Sequence, residues 1–267
     1  MAIPLEDNFT DVIGKAQRGL NLPDGDLARR AGISVAELHR VREGHFDAET
    51  LTKIAPVLKL SAHALAGLPR YQPAPVRVNG LAAFSTPFGD MLVNSHLVWD
   101  IAKSDAVAFD TGSSCAPMLD WLDDNGLKLR LILLTHGHHD HVHDLDRLRE
   151  RTGAQAFISS REELCGVDTF EEGREFDCGR LRIETRLTWG HSRGGVTYVV
   201  HGLERPVAVV GDALFAGSMG GGMVSYEDAL KTNRDKILSL PPETVLCPGH
   251  GPLTTVGEER KNNPFFA

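Results

Sequence analysis

The sequence predicts an α+β protein in which a small helical region precedes two β-sheets covered by outer helices. Apolar residues recur at helical spacing within residues 6–68. Residues 69–75 then hold three prolines in seven positions, which favours an extended and fairly stiff linker. From residue 76 onward, short apolar runs rich in β-branched residues alternate with helical segments, as expected for sheets with helices packed on them. We therefore predict a helical domain over residues 1–68 and a second domain over residues 76–267.

Length and composition place the chain among ordinary globular proteins. Its 267 residues, 42% of them hydrophobic, can bury a normal core and allow more than one domain. The N-terminus has neither a basic start nor an apolar stretch, and no apolar run approaches the roughly 20 residues that span a bilayer. We expect a cytoplasmic protein without a membrane segment. Its widely spaced cysteines are then reduced thiols: Cys115, Cys165, Cys178 and Cys247.

The net charge of −8 is carried by the second part of the chain. Residues 1–70 hold nine basic and nine acidic side chains, whereas residues 71–267 hold nineteen basic and twenty-seven acidic ones. An acidic second part is a poor match for polyanionic ligands, because like charges repel. The charge distribution therefore argues against a nuclease.

The helical region carries clear helix boundary signals. Asp24 is placed to cap a helix that Gly32 ends in the left-handed conformation. Ser34 and Glu37 have the spacing of a capping box at the start of the next helix. A further helix is expected over residues 48–58.

This helix, glycine turn and helix resemble the phage-repressor (Cro/C1-type) DNA-binding domain, a helix-turn-helix fold. The resemblance implies DNA binding by the N-terminal domain. However, Val35, Ala36 and Glu37 stand where members of that family usually offer polar groups at the start of the recognition helix. The alternative is a helical module that docks on the catalytic part or on a second subunit, which leaves a homodimer open.

The predicted elements of the second part follow in order. The strands span residues 76–84, 91–98, 106–109, 129–134, 154–158, 181–187, 196–200, 207–210 and 244–247. The helices span residues 116–125, 144–151 and 226–240.

The segment Thr135–His141 is the centre of the predicted chemistry. It follows an apolar strand, so it lies at a strand's C-terminal end, where α/β folds place functional groups. His136 and His138 are two residues apart in an extended segment and can project to one side, while Asp140 and His141 can face a second point. Imidazole and carboxylate ligands suit zinc or iron, and manganese less well. The segment therefore predicts a metal site.

Three later residues complete a recognisable pattern. His191, Asp212 and His250 occur in the same order as the later ligands of the metallo-β-lactamase superfamily, whose H-x-H-x-D-H motif matches residues 136–141. The resemblance extends over roughly residues 75–267. The segments 110–112 and 257–265 resemble those of the glyoxalase II-like branch.

The resemblance implies an αβ/βα four-layer sandwich and two divalent metal ions, zinc first, with iron or manganese as alternatives. It implies metal ligands at His136, His138 and His191 for the first ion, at Asp140, His141 and His250 for the second, and at Asp212 between them. Asp140 and Asp212 are also the predicted catalytic residues. Two cations lower the pKa of a shared water, and the metal-bridging hydroxide attacks a carbonyl.

The function that the resemblance favours is hydrolysis of a small-molecule thioester, as in hydroxyacylglutathione hydrolases. A thiolate is a good leaving group, so this chemistry needs no general acid. A lactonase, acting on an oxygen ester, is the alternative enzyme. A persulfide dioxygenase would use one iron with fewer ligands than this sequence offers. A DNA-binding regulator that senses a metal or ligand is the alternative from another class.

The remaining candidates have weaker signals. His139 and His143 are expected to be bystanders facing solvent. Asp110 is expected either to orient a ligand histidine or to cap its own turn. Cys115 is expected to be buried as a small apolar residue, and Gly217–Gly222 to form a flexible edge of the site.

Overall fold

The computed structural model describes residues 3–162 and 164–267. Within these residues, no helix is both long and apolar enough to cross a membrane. Five short helices and a 3-10 turn precede the first strand: α1 (Phe9–Gly19), α2 (Asp24–Ala31), α3 (Val35–Arg42), α4 (Ala48–Ile54), α5 (Ala62–Gly67) and the turn Leu68–Arg70.

The rest of the described chain contains the strands and the remaining helices. The strands are β1 (Leu81–Phe88), β2 (Met91–Trp99), β3 (Asp105–Phe109), β4 (Lys128–Leu133), β5 (Gln155–Ser159), β6 (Asp168–Phe170), β7 (Glu175–Cys178), β8 (Leu181–Leu187), β9 (Val196–His201), β10 (Val207–Gly211), β11 (Val245–Pro248) and β12 (Thr254–Thr255). The helices are α6 (Ala116–Asp124), α7 (His139–Val142), α8 (Leu145–Thr152), α9 (Tyr226–Thr232), which continues into a π-helical turn Asn233–Ile237, and α10 (Val256–Asn262).

In the described residues these strands form two mixed six-stranded sheets. The first has the order β1-β2-β3-β4-β5-β6, antiparallel up to β3 and parallel beyond it. The second has the order β12-β11-β10-β9-β8-β7, in which only the β10–β11 pair is parallel within the described strands. Parallel neighbours bring strand C-termini to one edge of each sheet, which is where loops can carry a shared site.

Apolar clusters define four layers. The two sheets face each other across a core that includes Phe109, Phe157 and Tyr198. On the outside of the first sheet, buried side chains of α6 and α8 pack against β3 and β4. On the outside of the second sheet, Ile237 and Val256 pack against β9, β10 and β11. The predicted αβ/βα sandwich is therefore confirmed.

Several elements differ from the prediction; among them, the helix predicted over residues 48–58 ends at Ile54, and the one predicted over 226–240 ends as an α-helix at Thr232. The first strand begins at Leu81 rather than at residue 76, because Val76 and Val78 pack on the core from the extended chain before the strand. The three-residue strand β6 was not predicted, since a strand this short leaves little pattern. The second half of the metal motif forms the helical turn α7 (His139–Val142) instead of the predicted loop.

The capping predictions for the helical region have mixed outcomes. Ser34 and Glu37 form the predicted capping box, and Gly32 ends α2 with a φ of 68°. The prediction for Asp24 is wrong, because Pro23 occupies the N-cap position of α2. The Asp24 carboxylate instead accepts hydrogen bonds from Gln17, His39 and Arg42, which join α1, α2 and α3.

The five N-terminal helices share one apolar cluster with the sheet-forming part. Buried residues of α1 to α5 pack in the same cluster as Met219, Ala229 and Phe265. The division of the chain at residues 68 and 76 stays a prediction, but the helices do pack against α9 and the C-terminal segment.

A buried polar contact lies at the edge of that cluster. The Lys15 ammonium donates to the Asp7 carboxylate and to the carbonyl oxygen of Met219, the latter over 2.9 Å. The Ser218 hydroxyl donates to the same carboxylate at 2.5 Å. The exposed fractions of the Lys15 and Asp7 side chains are 15% and 8%, so water screens this ion pair little.

We predict that Lys15→Met lowers the free energy of unfolding by about 3 kcal/mol, because it leaves the Asp7 carboxylate buried without its cation. Lys53→Met is the matched control, since Lys53 pairs with Glu49 on the exposed face of α4 and such pairs contribute about 0.5 kcal/mol or less. Urea unfolding of both variants measures the difference. Equal losses in the two variants would contradict the prediction.

Candidate metal centre

The predicted ligands all lie just beyond the C-terminal end of a strand. Residues 136–141 follow β4 of the first sheet. His191, Asp212 and His250 follow β8, β10 and β11 of the second sheet. The structure therefore brings all seven predicted side chains to one edge of the sandwich, where the two sheets meet.

Three histidines form the first cluster. The Nδ1 atom of His138 lies 3.0 Å from Nε2 of His136 and 3.1 Å from Nε2 of His191. Oδ2 of Asp212 lies 3.4 Å from Nε2 of His191 and 4.0 Å from Nε2 of His136. Ligands of a tetrahedral zinc ion, with bonds of about 2.0–2.1 Å, stand roughly 3.3 Å apart, so the spacing suits such an ion.

A second cluster lies on the other side of Asp212. Oδ2 of Asp140 is 3.5 Å from Nε2 of His141 and 3.3 Å from Nε2 of His250. Asp212 approaches this cluster through Oδ1, 3.3 Å from His141, and through Oδ2, 3.5 Å from His250. One carboxylate is therefore within reach of both groups of ligand atoms.

Two buried atoms of the site, 3.3 Å from each other, form no well-directed hydrogen bond with each other or with other described residues. They are Nε2 of His141 and Oδ1 of Asp212. A buried polar atom without a partner is costly, and a cation at this position would satisfy both. The donor set, five imidazoles and two carboxylates in two groups, therefore fits divalent metal ions.

The electrostatics of the site favour positive charge at the second cluster. Burial disfavours the charged form of His141, but the Asp212 and Asp110 carboxylates outweigh it and raise the pKa of His141 to about 10. Burial also opposes the charge on His250, yet Asp140 and Asp212 raise the pKa of His250 to about 11. Burial lowers the pKa of His136 well below its ordinary value.

Asp110 orients His141. Its carboxylate accepts hydrogen bonds from the Thr135 backbone N–H and hydroxyl, both at 2.7 Å. It also accepts the Nδ1 proton of His141 at 2.8 Å, which leaves the Nε2 lone pair directed at the centre. Of the two roles expected for Asp110, the geometry is that of a residue holding a ligand ring.

Strand β2 holds the loop that carries His250, which the sequence did not indicate. The Asn94 side-chain amide donates to the Pro248 carbonyl at 3.0 Å, and Nε2 of His96 lies 3.1 Å from the same oxygen. Nδ1 of His250 donates to the Leu92 carbonyl at 2.7 Å. The sequence signal for this contact would have been the two polar residues Asn94 and His96 on one face of β2.

The weaker candidates lie outside both clusters. The rings of His139 and His143 pack 4.7 Å apart and both lie against Phe88, at 5.7 and 5.8 Å. Cys115 is buried, as expected, and burial raises its pKa to about 12. All four cysteines fall within the described residues and are free thiols.

The glycine-rich segment after Asp212 is closely packed rather than a flexible edge. Gly217–Gly220 is buried, and a Cβ on Gly220 would lie 1.8 Å from the Asp212 carbonyl oxygen. The Gly221 carbonyl accepts the Nδ1 proton of His191 at 2.9 Å. The glycines therefore allow a close backbone approach behind two of the ligands.

Comparisons with known proteins agree with this fold. The family model described as the metallo-beta-lactamase superfamily matches residues 88–176. The chain is 30% identical over 206 residues to the Probable metallo-hydrolase YqgX of Bacillus subtilis, covering 67% of this chain and 95% of that protein. It is 29% identical over 198 residues to the Hydroxyacylglutathione hydrolase GloC of Haemophilus influenzae, covering 65% of this chain and 92% of that protein.

Among solved structures, TTHA1623 in a di-iron-bound form superposes with a TM-score of 0.56 at 28% identity, covering 68% of this chain and 99% of that one. Together, the fold and the histidine–aspartate cluster define a hydrolase with a site for divalent metal. The chain belongs to the metallo-β-lactamase superfamily.

We predict that Asp110→Asn lowers metal affinity about 10- to 100-fold, because a neutral amide no longer fixes the His141 tautomer that presents Nε2 to the metal. Asp105→Asn is the control, since Asp105 begins β3, the strand that ends just before Asp110, but pairs with the exposed guanidinium of Arg130. Competition with a chromophoric chelator measures both affinities. Unchanged affinity in Asp110→Asn would show that the hydrogen bond does not matter for binding.

Proposed function

We propose that the protein is a binuclear metal-dependent hydrolase that acts on small-molecule thioesters, as hydroxyacylglutathione hydrolases do. The observation that carries the proposal is the pair of ligand clusters that share the Asp212 carboxylate. The similarity to GloC of Haemophilus influenzae and to the Hydroxyacylglutathione hydrolase of Pseudomonas entomophila, at 29% identity each, supports the thioester class.

In this proposal each cluster binds one ion and Asp212 contributes to both. The first ion is held by His136, His138 and His191, and the second by Asp140, His141 and His250. Zinc is the metal we propose, because three imidazoles at this spacing suit it. Iron is the alternative that the di-iron form of TTHA1623 supports, and manganese is the third.

The bound ions would supply a low-pKa water as the nucleophile and polarise the scissile carbonyl. The chain's own residues fix the geometry. Asp110 and the Leu92 carbonyl keep His141 and His250 in the tautomer with a free Nε2. Burial alone would raise the pKa of Asp140, but His250 and His141 outweigh burial and lower this pKa below its ordinary value. Asp140 therefore stays a carboxylate and can accept a hydrogen bond from the water.

Leaving-group chemistry supports the thioester assignment. A thiolate departs without being protonated, so the site needs no general acid to complete the reaction. An oxygen-ester substrate such as a lactone releases a more basic alkoxide, which the protein would have to protonate or stabilise as it leaves.

Residues 1–68 are proposed to be a helical domain that docks on the catalytic part through its apolar side. The shared cluster with Met219, Ala229 and Phe265 supports docking. At the start of α3, the Glu37 carboxylate accepts hydrogen bonds from the Ser34 backbone N–H and hydroxyl, at 2.7 Å each, so it serves the helix cap. DNA binding and dimer formation by this region stay predictions.

We expect two equivalents of divalent metal per chain and preferential hydrolysis of thioesters. Elemental analysis of protein purified without chelator gives the stoichiometry, and a panel of thioesters and lactones of matched acyl size gives kcat/KM. Lactones turned over faster than thioesters would favour the lactonase alternative. Full activity with a single tightly held ion would argue against the binuclear centre.

The ligand assignment predicts a ranking of alanine variants on one thioester. Asp212→Ala and His250→Ala should each lower kcat about 10²- to 10³-fold and lose the second metal first. His136→Ala should cost at least as much. His139→Ala and His143→Ala, the matched controls within the same segment, should change kcat little. The assignment would be wrong if His139→Ala were as damaging as His136→Ala while metal content stayed the same.

A further inference from the structure

Glu162 joins two loops that carry histidines of the first cluster. It lies three residues beyond β5, outside the metal motif. Its Oε1 atom accepts the backbone N–H of Gly194 at 2.7 Å, and its Oε2 atom accepts the backbone N–H of Gly137 at 3.2 Å. Gly137 stands between His136 and His138, and Gly194 stands three residues after His191.

Both glycines are fitted closely to this side chain. A Cβ on Gly194 would lie 2.8 Å from Cγ of Glu162 and 3.0 Å from its backbone nitrogen. A Cβ on Gly137 would lie 3.1 Å from Oε2 of Glu162. The Glu162 N–H donates to the Ser159 carbonyl at 3.0 Å, which fixes the carboxylate relative to the end of β5. The contact is therefore built into the local backbone of both loops.

The two loops belong to different sheets. His136 and His138 follow β4 in the first sheet, whereas His191 follows β8 in the second. Small relative movements of the sheets would change the 3.1 Å spacing between Nδ1 of His138 and Nε2 of His191. A carboxylate that accepts one N–H from each loop opposes such movement, since hydrogen bonds to a charged acceptor are roughly twice as strong as neutral ones.

We propose that Glu162 is a positioning residue for the first metal ion, fixing the distance between His136–His138 and His191. The proposal rests on the metal-binding role proposed above for these histidines.

The second cluster is held by other groups. His141 is oriented by Asp110, and His250 by the Leu92 carbonyl. In the described structure, the hydrogen bonds of the Glu162 carboxylate go to Gly137 and Gly194 and not to Asp140, His141 or His250. Loss of the Glu162 carboxylate should therefore weaken one metal site selectively.

The test is titration of the metal-free protein with cobalt(II), followed by visible absorption, which reports each site independently of hydrolysis. His191→Ala and His250→Ala provide reference spectra that lack the first or second ion. Glu162→Ala should weaken cobalt binding at the first site about 10- to 100-fold and leave the second site within about twofold. Glu175→Gln, which alters an exposed ion pair with Arg182, is the control and should change neither.

Glu162→Gln keeps the test decisive if Glu162→Ala does not fold. Its amide oxygen still accepts one N–H, while its NH₂ group opposes the other, so an intermediate loss at the first site is expected. Equal weakening of both sites in a folded variant, or no change in either, would overturn the role of Glu162. If the wild-type protein bound no cobalt, the proposed metal centre would be wrong as well. If the wild-type protein bound cobalt normally and the Glu162 variants did too, only the role of Glu162 would be wrong.

Discussion

The arrangement of the centre depends on one buried negative charge. The Asp212 side chain is 8% exposed and lies where the ends of the two sheets meet. Gly211, directly before it, has a φ of 51°, and a Cβ there would lie 2.5 Å from the Thr135 hydroxyl of the opposite sheet. A carboxylate buried so deeply is costly unless cations or hydrogen bonds compensate it. The surrounding imidazoles and the metal ions they can hold supply that compensation.

Around this charge, ligands are held by groups from other parts of the fold. Asn94 and His96 of the first sheet bind the loop that leads to His250 of the second. The Gly221 carbonyl, which follows β10, accepts a hydrogen bond from His191, which follows β8, and so fixes the orientation of the His191 ring. The ligands are thus fixed by backbone carbonyls and carboxylates drawn from distant parts of the chain. Such outer contacts determine both the tautomer and the basicity of ligand histidines.

The sequence was sufficient for the fold class and for the group of residues that meet at the centre. His136 to His141 follow a recognisable strand, and the resemblance to the superfamily's ligand order identified His191, Asp212 and His250. The contacts of Asn94 and Glu162 could not be predicted this way. Asn94 meets Pro248, 154 positions away, and Glu162 meets Gly194, 32 positions away. Single side chains with distant partners leave no periodic signal, and the same limitation led to the wrong role for Asp24.

The contact between the N-terminal helices and the glycine-rich segment has a consequence for biosynthesis. Lys15 bonds to Met219 across 204 positions, and Asp7 bonds to Ser218 across 211. Contacts this distant in sequence form late and slow the folding of a domain, because long loops must close first. As the chain leaves the ribosome, the apolar side of the first helices emerges well before Met219, Ala229 and Phe265 are available to cover it. That apolar side therefore stays uncovered for most of the chain's synthesis, and exposed apolar surface of this kind is prone to aggregation.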